Sequence, residues 1–292
     1  MKEIFYKIAF LYPRLYAFFC YYRKKEQRRE FEEKVRLFCP ESQAPDRIQR
    51  IVRGIFELRG SRKLQRYLIP QMGDQFIKVF VTTEGLEYLD QALKEGRGIL
   101  LMAPHIGNPH IGICVLRLMG YEITIIKGGK PRRPKFPKIR YSDPHAYTVF
   151  TEDTSLSKTS KERIFDILKS GRILYYSGDA SLGKRNVEVS FLGKPMLFPT
   201  GTLHLAREAN AIVFPLIHLY RRGKIQLILK ERMDEGWIHG EGGYRRIIEA
   251  FATLLESYIH KYPEEYMGFY GDTVVNHYYR SHRSPLLREG ET

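Results

Sequence analysis

Paired cysteines are what this 292-residue sequence most plainly lacks. Cys20, Cys39 and Cys114 are odd in number and far apart, which excludes a disulfide framework and the paired spacing of a zinc site. They read as free thiols in a reducing compartment. Acidic residues are the scarcer charge: 33 Asp and Glu stand against 48 Lys and Arg, a formal net charge of +15. So basic a chain seeks an anionic partner, whether nucleic acid, an acidic protein or an anionic membrane leaflet. The aromatic-glycine signature of a single-strand-binding sheet is absent, so no nucleic-acid partner is expected, and the membrane and acidic proteins lead. Long uninterrupted apolar runs are missing too. The densest, residues 4–22, is broken by Lys7, Pro13 and Arg14, which makes a poor bilayer-spanning helix. It has no small-residue cleavage site and is not read as a signal peptide. Internal repeats and low-complexity stretches are absent, and 43% hydrophobic with 28% charged residues is an ordinary globular composition.

What is present starts at the N-terminus. Phe5, Tyr6, Phe10, Tyr12, Tyr16, Phe18, Phe19, Tyr21 and Tyr22 run into Arg23, Lys24, Lys25, Arg28 and Arg29. Aromatic rings at headgroup level with a cationic flank describe an interfacial membrane anchor over residues 1–24. The alternative is an aromatic helix packed on the body of the protein.

Residues 25–95 read as a helical region. Ile48, Ile51, Val52, Ile55 and Phe56 recur at one-sided helical spacing, with Gly60 as the expected stop. A short helix follows at 85–94. The continuous apolar run Ile99-Leu100-Leu101-Met102-Ala103 predicts a strand covered on both faces, and Asn108-Pro109 the cap and first turn of a helix. Further strands are predicted at 122–126, 173–176, 211–216 and 224–229, with helices at 161–169, 203–210 and 243–261. This alternation implies an α/β domain over 96–280 with a mixed, mostly parallel sheet flanked by helices, and then a flexible polar tail over 281–292.

His105 lies two residues beyond a predicted strand and just before a helix, and Asp179 holds the same position after its own strand. Ligands of open α/β folds bind beyond the carboxyl ends of strands. A helix N-terminus aimed at an imidazole disfavours its protonation and keeps it able to accept a proton. The block from Gly98 to Asn108, reading GILLMAPHIGN, resembles the first motif of the lysophospholipid and lipid A acyltransferase families. GRILYYSGD ending at Asp179, VSFLGKP over 189–195 and FPTGT over 198–202 resemble later blocks of the lipid A biosynthesis (late acyltransferase) branch, in order and spacing. The likeness covers roughly residues 45–270.

The resemblance implies a glycerol-3-phosphate acyltransferase-like fold and transfer of a fatty acyl chain from acyl carrier protein or acyl-CoA to a hydroxyl of a membrane (glyco)lipid. It implies no metal and no other cofactor. The setting would be the cytoplasmic face of the inner membrane, with the chain peripheral and monomeric and an anionic lipid as partner. In the family the histidine pairs with an acid five positions on, and here that position is His110. A neutral imidazole orients but brings no charge to stabilise imidazolium. Three outcomes stay open: His110 serves as orienter, Asp179 takes over, or the chain is a weak or retired catalyst that binds lipid. The expected catalytic set is therefore His105, His110 and Asp179. The basic, proline-broken run Lys127, Lys130, Arg132 and Arg133 suits phosphates or headgroups, and Asn108 and Gly201 complete the expected substrate-binding set.

Overall fold

A computed structural model describes residues 11–128, 148–151, 158–180, 185–221, 223–233 and 242–282. Its helices α1 (Leu11–Arg23), α2 (Lys25–Phe38), α3 (Pro45–Met72) and α4 (Asp74–Phe80) precede the first strand, β1 (Val81–Glu84). Then come α5 (Leu86–Lys94), β2 (Ile99–Ala103), α6 (Pro109–Leu118), β3 (Ile123–Gly128) and β4 (Thr148–Thr151). After α7 (Lys158–Lys169) follow β5 (Ile173–Ser177), the hairpin β6 (Asn186–Phe191) and β7 (Lys194–Pro199), and α8 (Gly201–Glu208). The chain continues through β8 (Ile212–Arg221), β9 (Lys224–Leu229), α9 (Gly243–Lys261) and α10 (Val274–His282).

Seven strands form one sheet in the order β1-β9-β8-β2-β5-β3-β4, and β6-β7 form a separate antiparallel pair. All neighbours in the large sheet are parallel except β8 and β9, which pair antiparallel. This is the mixed, mostly parallel sheet the sequence predicts. The run from Ile99 to Ala103 is wholly buried because β2 is central and carries helices on both faces. Burying each Leu or Ile of that run contributes about 1.5–3 kcal/mol.

Two expectations fail. The region 25–95 is not helical throughout, because Val81–Glu84 pairs with Ile225–Ile228 as a parallel edge strand before the helix at 86–94. Nor does Gly60 end a helix: α3 runs through it to Met72. Gly60 is instead where two helices meet, since a Cβ there would come within 2.9 Å of the Pro13 Cα of α1.

The alternative reading of the aromatic N-terminus, a helix packed on the body of the protein, holds for one face of α1. Pro13, Ala17, Cys20 and Tyr21 are buried, while Leu11, Leu15, Phe18, Phe19 and Tyr22 are between 49% and 60% exposed. One face packs on α3 and the other is left open. Residues 1–10 lie outside the described residues, as do Lys130, Arg132, Arg133 and 283–292 of the expected tail. Among the described residues no helix is long and apolar enough to cross a membrane.

Candidate active site

The parallel register of β2 and β5 pairs residues 74 apart, from Ile99↔Ile173 to Ala103↔Ser177. Carried two residues past the strand ends, the same offset sets His105 opposite Asp179. The structure makes that contact. His105 Nδ1 lies 2.8 Å from Asp179 Oδ1, and the backbone N–H of His105 donates to both carboxylate oxygens at 3.0 and 3.1 Å. Asp179 is fully buried, so these donors are what makes its charge tolerable there. With Nδ1–H donated to the carboxylate, Nε2 is left with the lone pair. The His105 side chain remains 23% exposed, enough for a substrate to reach it.

Burial pulls the His105 pKa down, but the charge of Asp179 and its hydrogen bond outweigh this, and Asp272 adds to them. The nearby Arg62 opposes them, and the net shift is upward. The expected depression by the helix start is therefore overridden by a buried carboxylate. A raised pKa marks a stronger base, one that holds the proton it takes.

His110 sits in the first turn of α6 with its side chain exposed, and its charge is felt by the buried His218. The Nδ1 of His105 is engaged by Asp179 and not by residue 110. Asn108 is the N-cap residue of α6 without a side-chain cap. Its amide instead donates to Gln65 Oε1 on α3 at 2.7 Å. Gly201 opens α8 with nothing within 4 Å of where a Cβ would stand. Lys127 lies in β3, paired with Phe150 of β4. Cys20, Cys39 and Cys114 are free thiols. Among the described residues no three His, Cys, Asp or Glu side chains converge where a metal could bind.

The segment 263–270 was not legible as part of the site, yet it clasps the His105 loop from behind. Met267 N donates to His105 O at 2.7 Å, Gly107 N donates to Glu265 O at 2.8 Å, and Ile106 bridges Tyr266. Glu265 also accepts from Tyr220 N at 2.9 Å. Its burial, with the charge of Glu264, pushes its pKa from 4.5 up to about 8, against the pull of the Tyr220 N–H and Arg221. Gly107 is required where it stands: its φ is +63°, and a Cβ would lie 2.3 Å from the His218 carbonyl.

A histidine held by a buried carboxylate at the joint exit of two central parallel strands lies where open α/β folds bind their ligands. A family model for bacterial lipid A biosynthesis acyltransferases matches residues 11–270, and the chain belongs to that family. It is 28% identical over 141 residues to a phosphatidylinositol mannoside acyltransferase from Mycobacterium tuberculosis, covering 48% of this chain and 44% of that protein. A protein of the same name from Mycolicibacterium smegmatis is 25% identical over 190 residues, covering 62% and 58%. The chain thus spans about half the length of the curated relatives it matches. Among solved structures, the 1-acyl-sn-glycerophosphate acyltransferase PlsC from Thermotoga maritima superposes with a TM-score of 0.42 at 15% identity, over 89% of this chain and 98% of that one.

Proposed function

We propose that this protein moves a fatty acyl chain from an acyl thioester to a hydroxyl of a membrane glycolipid, with His105 as general base and Asp179 as its charged orienter. The observation that carries the reading is the 2.8 Å contact between His105 Nδ1 and Asp179 Oδ1. His105 Nε2 takes the proton of the acceptor hydroxyl as its oxygen attacks the thioester carbonyl. The tetrahedral intermediate then collapses, breaking the carbon–sulfur bond, and the imidazolium returns its proton to the departing thiolate. Asp179 stabilises the imidazolium between these steps. The oxyanion needs a donor at the start of α6. Pro109 has none and the Gly107 N–H is committed to Glu265 O; of the other N–H groups at this helix start, we assign the role to that of Asn108.

This answers the difficulty posed by His110. The negative charge missing five positions along the helix is supplied across the sheet, which favours a working enzyme over a retired lipid-binding scaffold. His110, Lys127 and Gly201 remain substrate-side residues in this reading, and acyl carrier protein or acyl-CoA is the donor. The names of the relatives favour a glycosylated phospholipid acceptor. The open face of α1, with Leu15, Phe18 and Phe19 outward and Arg23 at its end, supports peripheral membrane binding; a monomer on the cytoplasmic face of the inner membrane is part of the proposal.

The test supplies labelled palmitoyl-CoA or palmitoyl-acyl carrier protein with total membrane lipid. His105→Ala is expected to lower transfer about 10²- to 10⁴-fold, while the variant still binds vesicles. Full activity in His105→Ala would end the assignment, and vesicle binding without turnover by the wild type would favour the scaffold.

A further inference from the structure

The arginines of α3 have no role in the chemistry just described. α3 passes directly beside the His105 loop, because the buried Gln65 receives the Asn108 amide at 2.7 Å. Arg62 is three residues before Gln65 and four before Arg66, the helical spacings that make neighbours, with Arg66 on the more exposed side. Arg62 Nη1 donates to Tyr270 Oη at 3.3 Å. Tyr270 ends the 263–270 segment whose Met267 N–H bonds His105 O, so Arg62 is tied to the backing of the catalytic loop. Its Nε is shielded from solvent and has no hydrogen-bond partner. Among the described residues no carboxylate pairs with Arg62, whereas Arg14, Arg28 and Arg221 each meet a glutamate.

A guanidinium with unfilled donors, next to a second one and half out of water, is costly unless something anionic arrives. Partial burial, and then the charge of Arg62, lower the pKa of Arg66. The location also suits a headgroup. α1 crosses α3 at Gly60, and Lys63 Nζ sits 4.4 Å from the centre of the Tyr16 ring. The arginine pair therefore lies on α3 within two turns of its crossing with α1, and the charge of Arg62 reaches His105. A lipid whose tails lie along α1 would bring its phosphate to the arginines as its sugar reaches the base.

Resting on the acyl-transfer reading above, we infer that Arg62 and Arg66 form a phosphate subsite that positions one substrate against His105. The phosphate belongs either to the phosphodiester of the acceptor headgroup or to the pantetheine arm of the donor. The planar fork of arginine matches two phosphate oxygens at once, which lysine cannot do.

The test measures binding of glycerophosphoinositol, free inositol and coenzyme A to the full chain by titration calorimetry. The proteins compared are wild type, His105→Ala, Arg62→Gln, Arg66→Gln and Arg62→Lys, with a thermal melt on each. Wild type and His105→Ala are expected to bind a phosphate probe and to ignore inositol. Arg62→Gln should weaken that binding roughly 10- to 100-fold, and Arg62→Lys should recover part of it. Loss confined to glycerophosphoinositol assigns the phosphate to the acceptor, and loss confined to coenzyme A assigns it to the donor. Where Arg62→Gln melts early, Arg66→Gln and Arg62→Lys carry the comparison. Unchanged binding in both glutamine variants, or no phosphate binding by the wild type, overturns the subsite. Acyl transfer run in parallel separates the two claims. An inactive wild type that still binds phosphate through Arg62 refutes the transfer reading alone, and an active enzyme whose KM values ignore Arg62→Gln refutes the subsite alone.

Discussion

His105 and His218 belong to neighbouring parallel strands, β2 and β8, and their surroundings are opposites. His105 lies just past the end of its strand, is partly open, and donates to a buried carboxylate that raises its pKa. His218 lies inside its strand, fully buried, with both ring nitrogens unpartnered. Burial and the charge of His110 drive its pKa down to about 3. The fold and the residue type are shared, so the difference lies in the carboxylate and the opening. One imidazole can take up and release a proton, and the other is held neutral as packing against Gly112.

The largest effect is expected where that difference is erased. Asp179→Asn keeps the shape of the site and removes the charge, and comparable triads lose about 10⁴ in turnover on such a change. The pH profile gives an independent readout. A base must be unprotonated to act, so the rate rises with pH through the raised pKa of His105. Without Asp179 that limb should move to lower pH while the plateau falls. A loss under about tenfold with an unmoved limb would mean Asp179 is not the partner in catalysis.

How far the sequence foretold this pair follows from range. Each half was legible, because a continuous apolar run ending in His105, or in Ser177-Gly178-Asp179, is a local pattern. That the two runs are adjacent strands in a register of 74 residues is not, since parallel pairing is set by packing across the whole sheet. This is why His110, near in sequence, competed with Asp179, near in space. β1 was missed for a related reason. Val81-Thr-Thr-Glu84 is four residues long and largely exposed, so it carries no burial period. Gly60 misled because a glycine permitting close helix contact looks, in sequence, like a glycine ending a helix.

The other half of the comparison breaks in stability and not in activity. Gly112 of α6 lies against His218, and an added Cβ would stand 2.0 Å from the Cδ2 of that ring. Gly112→Ala should therefore cost about 1–3 kcal/mol by overpacking. In a His218→Ala background the added methyl enters vacated space, and the two changes should couple favourably by about 0.5–3 kcal/mol. Denaturant melts of the four proteins measure this. Strict additivity would mean that the ring does not limit the approach of α6 to β8.

The smallest effect concerns Glu265, which ties the two histidines together through the Gly107 N–H at its carbonyl and the Tyr220 N–H at its carboxyl. Its folded pKa of about 8 exceeds the ordinary 4.5. Between those values the folded chain holds a proton that the unfolded chain releases, so stability declines as pH rises from 4.5 toward 8. Glu265→Gln keeps an oxygen for the Tyr220 N–H and removes the titration. His105 and His218 titrate in both proteins, and the difference between the two stability curves isolates Glu265. The variant should lose less stability than the wild type between pH 5 and about 8, as read by denaturant midpoints at the two ends. Parallel curves would show that the carboxyl stays ionised in place, and its proton would then have no part in holding the His105 loop against β8.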